Sequence, residues 1–116
     1  MKIKPETWQD RFGLTTCAAD EINPKIPETA QGVAVIYTRT DISESIFLVI
    51  ESRTSGLRSQ CEKRLQTAKL PPIGQLMISF KAEVLPDDSA ETIHAACRAQ
   101  VIFAGELRRA LRPAMR

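Results

Sequence analysis

Two β-rich runs close together restrict the fold most. Residues 32–39 (GVAVIYTR) and residues 46–50 (IFLVI) are dominated by β-branched and bulky apolar side chains, with only a polar stretch, residues 40–45, between them. Such side chains suit a pleated, half-buried surface, so the pair predicts two adjacent antiparallel strands. Residues 52–56 (SRTSG) then supply turn and cap chemistry, and Leu57, Cys61, Leu65 and Ala68 recur at helical spacing. Arg58, Glu62, Lys63 and Arg64 fall off that stripe. The segment therefore reads as an amphipathic helix with a basic outer face, stopped by Pro71 and Pro72.

Residues 75–85 (QLMISFKAEVL) alternate as a third strand, with Met77, Ser79, Lys81 and Glu83 on one side. After Pro86, the polar Asp87, Asp88 and Ser89 offer a helix start. Ile93, Cys97, Val101, Ala104 and Leu107 then trace one face of a long helix, or of two short ones broken at Gly105. The expected architecture is α+β: a small, three-stranded, mainly antiparallel sheet flanked by helices, in the order β-β-α-β-α over residues 31–116. Residues 1–30 carry Pro5, Pro24 and Pro27 among polar residues and read as an irregular lead-in, with Trp8, Phe12 and Leu14 as their bulky apolar cluster.

The size of the core follows from length. A chain of 116 residues with 43% apolar content sits in the range of one globular domain and needs neither disulfide nor structural metal to fold. Cys17, Cys61 and Cys97 are odd in number and widely spaced, so they read as reduced residues, with Cys61 and Cys97 as small core residues on helices. No apolar run reaches membrane-helix length and residues 1–10 are too polar for a signal peptide, which together point to the cytoplasm.

Catalytic patterns are scarce. His94 is the only histidine, and beside the apolar face of a helix a lone histidine reads as structural rather than as a base. The cysteines and His94 lack zinc-ligand spacing, Asp87 and Asp88 explain themselves as a helix start, and Gly32, Gly56, Gly74 and Gly105 match neither a phosphate-binding loop nor a dinucleotide fingerprint. No cofactor or metal is expected. Net charge is only +2, but Arg53, Arg58, Lys63, Arg64 and Lys69 form a basic set that one helix and its preceding loop would present together. Glu62 interrupts the set, and no aromatic residue is interleaved for base stacking, so solvated charge competes with phosphate binding as its explanation.

The order strand, strand, helix, strand, helix resembles the GIY-YIG nuclease fold, and residues 32–116 lie along it nearly end to end. Residues 32–37 (GVAVIY) resemble the first strand of that family, with Ala34 where the family has a catalytic tyrosine. Ile50, Glu51 and Ser52 stand at the second motif without its tyrosine and glycine, followed by a polar loop and helix start at residues 53–57. The helix arginine of the family corresponds to Gln60, with Arg58 as a neighbouring substitute, and the metal-binding glutamate to Ala104, two residues before Glu106. Pro113 matches a proline of the closing segment. With tyrosines, arginine and glutamate all replaced, the resemblance implies a catalytically inactive domain that binds a partner. DNA is favoured, through phosphate contacts of Arg53, Arg58, Lys63 and Arg64. The alternative is a protein-interaction or inhibitor module using Trp8, Phe12 and Leu14. A residual nuclease using Tyr37, Arg58 and Glu106 is the remaining option.

Overall fold

The computed structural model describes residues 7–39, 44–52 and 56–114. Arg53, Thr54 and Ser55 therefore lie outside the described residues. The chain is α+β: strands β1 (Thr15–Ala18), β2 (Ala30–Arg39), β3 (Glu44–Glu51) and β4 (Leu76–Val84) form one antiparallel sheet in the order β1-β4-β2-β3. Helices α1 (Trp8–Arg11), α2 (Ile22–Lys25), α3 (Leu57–Thr67) and α4 (Ala90–Leu111) accompany it. The sequence-based expectation of three strands is thus one short. The fourth is β1, inside the stretch expected to be irregular. Four residues show too little periodicity to announce a strand, and pairing with β4 residues 77–80 is what holds them extended.

Alternation of side chains divides the core in two. On one face of the sheet Ala34, Ile36, Leu48, Ile50, Ile78 and Phe80 pack with Leu57 and Cys61 of α3 and with Cys17, Ile22 and Ile26. On the other, Val33, Val35, Tyr37 and Val49 pack with Ala104 and Leu107 of α4, with Trp8 and Phe12 against them. Every element thus hides an apolar stripe against the sheet, which is the principal favourable contribution to folding.

Helix α3 starts after Gly56, whose φ of 76° suits glycine, and stops at Ala68, which is extended ahead of Pro71 and Pro72. Helix α4 opens as its sequence suggests: Ser89 Oγ accepts from Thr92 N at 3.2 Å, and Asp87 Oδ1 accepts from Ser89 N at 2.9 Å. It runs unbroken through Gly105 and closes at Arg112 in a left-handed conformation. Its inward stripe differs from expectation at one position. Gln100 is buried, while Val101 is 56% exposed, because polar partners at the end of the sheet hold the Gln100 amide inside.

The two sheet borders are treated differently. Along β3, Arg108 Nη2 donates to Val49 O at 3.1 Å and Ala114 N donates to Ile46 O at 3.1 Å, so the edge is partly covered. On the opposite border β1 pairs only with Met77, Ile78, Ser79 and Phe80. Among the described residues, Lys81–Val84 of β4 therefore have a strand neighbour on the β2 side alone.

Candidate functional site

Of the described residues expected to meet phosphate, Arg58 is already engaged within the molecule. Arg58 leaves α3 toward the N-terminal segment, where its Nη1 donates to Asn23 O at 3.0 Å and to Asn23 Oδ1, and its Nη2 lies 3.5 Å from Glu28 Oε2. The guanidinium is a strut from α3 to α2 and to the chain just after it, with most of its side chain covered. Lys63 and Lys69 are exposed and Arg64 is half-buried. Arg53 lies outside the described residues.

Trp8, Phe12 and Leu14 pack against the core on the α4 side of the sheet. The Trp8 ring meets Tyr37 edge-on with centroids 5.1 Å apart, Phe12 meets Phe103 edge-on at 6.1 Å, and Leu14 joins the same cluster. Trp8 Nε1 donates to Glu44 Oε2 at 2.6 Å. The three residues attach the N-terminal segment to the sheet and α4, each only half-buried.

A nuclease constellation is not assembled from Tyr37, Arg58 and Glu106. Tyr37 is 1% exposed in the core beneath α4, with its hydroxyl 2.9 Å from Ser79 Oγ and accepting from Gln9 Nε2 at 3.2 Å. Arg58 belongs to α3, on the opposite side of the sheet, and Glu106 is exposed on α4. The positions matched to the catalytic tyrosine and the metal-binding glutamate are divided in the same way. Ala34 faces the α3 core and Ala104 the α4 core, both fully buried. His94 is exposed, and among the described residues no three His, Cys, Asp or Glu side chains gather to hold a metal ion.

Burial holds Cys61 and Cys17 as thiols. It pushes Cys61 up to about 12, with Cys17 and Glu62 adding to the effect, and it raises Cys17, where nearby Glu21 adds to the shift. Cys97 is half-buried on α4.

A different group of residues converges where β3 ends. Ser52 N donates to Gly32 O at 2.9 Å, and Gly32 N donates to Ser52 Oγ at 2.9 Å, tying the end of β3 to the start of β2. Ser52 Oγ also lies 2.6 Å from the side-chain amide oxygens of both Gln31 and Gln100. All three side chains are nearly sealed, at 8% for Gln31, 2% for Ser52 and 7% for Gln100. A serine hydroxyl has one proton and two lone pairs. With Gly32 N–H on one lone pair, the single hydroxyl proton is shared between the two glutamine oxygens.

Both glutamines line a cleft of about 470 Å³ between α4 and the ends of β2 and β4, together with Lys81, Glu83, Ala99 and Phe103. The cleft exists because α4 lies over β2 and β3 more than over β4, and because alanine at its helix wall is short. Lys81 Nζ sits 5.6 Å over the Phe103 ring. Gly32 belongs to the same wall and admits no side chain: a Cβ there would fall against Lys81 O and 2.8 Å from Ala82 Cα.

No family model matches the chain, and neither a curated protein nor a solved structure does. The functional reading therefore stands on the geometry. Gln31, Ser52 and Gln100 carry no sequence motif. The one signal available was a glutamine at position 100, three residues before Phe103 and four before Ala104, where an inward side chain is due.

Proposed function

We propose that this chain is a non-catalytic, GIY-YIG-like binding module whose partner is a protein. The order β2-β3-α3-β4-α4 supports the GIY-YIG-like part of the reading. The non-catalytic part is supported by the separation of Tyr37 and Arg58 onto opposite sides of the sheet, with Tyr37 sealed from substrate. General acid–base work needs a group within hydrogen-bond reach of the reacting atom, and no shift of side-chain torsions carries Arg58 through the sheet.

The choice of a protein over DNA rests on Arg58. A phosphate-binding arginine needs its donor fork free, and here the fork is engaged by Asn23 and Glu28. Among the described residues, the exposed Lys63 and Lys69 give a weak, salt-screened attraction rather than a positioned site. No helix among the described residues is long and apolar enough to cross a membrane.

The test is incubation of the protein with labelled duplex and branched DNA in the presence of Mg²⁺ or Mn²⁺. Intact substrate is the expected result. Metal-dependent cleavage that disappears in Glu106→Ala would overturn the reading.

A further inference from the structure

We infer that the outward face of α4 is the contact surface for a second copy of this chain, the two α4 helices packing antiparallel about a twofold axis level with Gln100. This face is separate from the cleft and from the residues on which the proposed function rests. Two observations carry it, one of shape and one of charge.

The buried residues of α4, Gln100, Ala104 and Leu107, leave the opposite side of the helix to solvent. On that side Glu91, Ala95, Arg98, Ile102, Gly105 and Arg109 recur at alternating spacings of four and three residues, the spacing of a seam between two packed helices. All are exposed except Gly105, which is half-buried. Ile102 is 64% exposed and its neighbour Val101 56%, so two large apolar side chains stand uncovered at mid-helix. Ala95 and Gly105 are short enough to let another helix come close. A Cβ at Gly105 would have the Arg109 guanidinium as its nearest neighbour, at 3.6 Å, a flexible side chain of the seam itself.

Charge selects the occupant. Glu91 and Arg109, at the two ends of the seam, are of opposite sign, and neither has an ion-pair partner among the described residues. An antiparallel copy sets Glu91 of each chain level with Arg109 of the other, so twofold symmetry makes this pair twice. The same register sets Ala95 level with Gly105, where the helices approach most closely. It also sets Ile102 level with Arg98, whose methylene stem covers it while the guanidinium reaches water. A parallel copy would oppose Glu91 to Glu91 and Arg109 to Arg109, which is repulsive. A net charge of only +2 per chain adds little long-range repulsion between copies. One helix on one helix is a small interface, so the dimer is weak, with a dissociation constant on the order of 10–100 µM.

The test is sedimentation equilibrium of the full chain at low ionic strength, with the wild type and with two charge reversals, Glu91→Arg and Arg109→Glu. The wild type is expected to form a dimer that salt weakens. Each reversal alone sets like charges together at both ends of the seam and is expected to weaken the dimer at least about tenfold. Mixed in equal amounts, the two variants are expected to recover it, because every end pair is again of opposite sign. That recovery also shows both variants to be folded. Ile102→Lys, at a position exposed enough to accept lysine, is expected to lose the dimer to a similar degree.

A wild-type chain that stays monomeric up to about 1 mM would exclude a second copy as the occupant and overturn the inference. A dimer that Glu91→Arg leaves as tight as before, or a mixture of the two reversals that stays monomeric, would overturn it as well. None of these results bears on DNA cleavage, so the proposed function stands or falls by its own assay.

Discussion

Replacing Gly32 with alanine probes the closest approach in the sheet. Gly32 lies opposite Ala82 in the β2–β4 pairing, and an added Cβ would fall inside van der Waals contact of Lys81 O and 2.8 Å from Ala82 Cα. Both obstacles are backbone, so no rotamer change relieves them and the strands must part. Overpacking of this kind costs about 1–3 kcal/mol. Parting β2 from β4 also weakens neighbouring ladder hydrogen bonds, at about 0.5–1.5 kcal/mol each. Alanine returns about 0.4–1 kcal/mol by restricting the unfolded chain.

The net loss expected is about 3 kcal/mol, a substantial part of the roughly 5–15 kcal/mol that a domain possesses. At about 4 °C per kcal/mol, the melting midpoint falls by about 12 °C. Urea unfolding followed by circular dichroism measures the loss directly, and Gly74→Ala, where a Cβ meets nothing within 4 Å, is the matched control. A loss below about 1 kcal/mol for Gly32→Ala would refute the close β2–β4 approach and the wall it forms for the cleft.

Three further outcomes are expected. Ser52→Ala strips a shared partner from Gly32 N–H and from both glutamine amides, and should cost about 2–3 kcal/mol in the same urea experiment, well above an exposed serine. Iodoacetamide at mildly alkaline pH, read by peptide mass mapping, should label half-buried Cys97 first and leave Cys61 unmodified in the folded chain, since burial keeps the Cys61 thiol protonated. Hydrogen bonds from Ser89 and Thr92 hold the Asp87 carboxyl below its ordinary value, so its stabilising contribution is present above the unfolded-state value and is lost as pH falls through the lower folded one. An NMR pH titration should place the Asp87 midpoint low and show it rise in Ser89→Ala.

The main elements were legible in the sequence because their signals are local. The β-branched runs of β2 and β3, the leucine–cysteine stripe of α3 and the Asp–Asp–Ser start of α4 all declare themselves within a dozen residues. Strand β1 did not, because its extended state depends on β4 residues far along the chain, as in the pairing of Thr15 with Phe80. The charge of Arg58 was legible but not its use, since the partner Asn23 lies 35 residues upstream. Gln100 was hidden for a related reason. A polar residue at an inward helical position looks like an interruption until Ser52, 48 residues earlier, is brought beside it. Apolar alternation placed Tyr37 in a strand, yet only the pairing shows that its hydroxyl is spent on Ser79 and Gln9.

The most direct measurement is fluorescence anisotropy of labelled duplex DNA titrated with the wild-type chain and with Arg58→Ala at two salt concentrations. If the partner is a protein and Arg58 is a strut, binding at physiological salt is no tighter than the roughly micromolar non-specific range, and Arg58→Ala leaves it unchanged while lowering stability. Salt-sensitive binding well below micromolar, weakened by Arg58→Ala without loss of fold, would put the guanidinium on phosphate and contradict the proposed function.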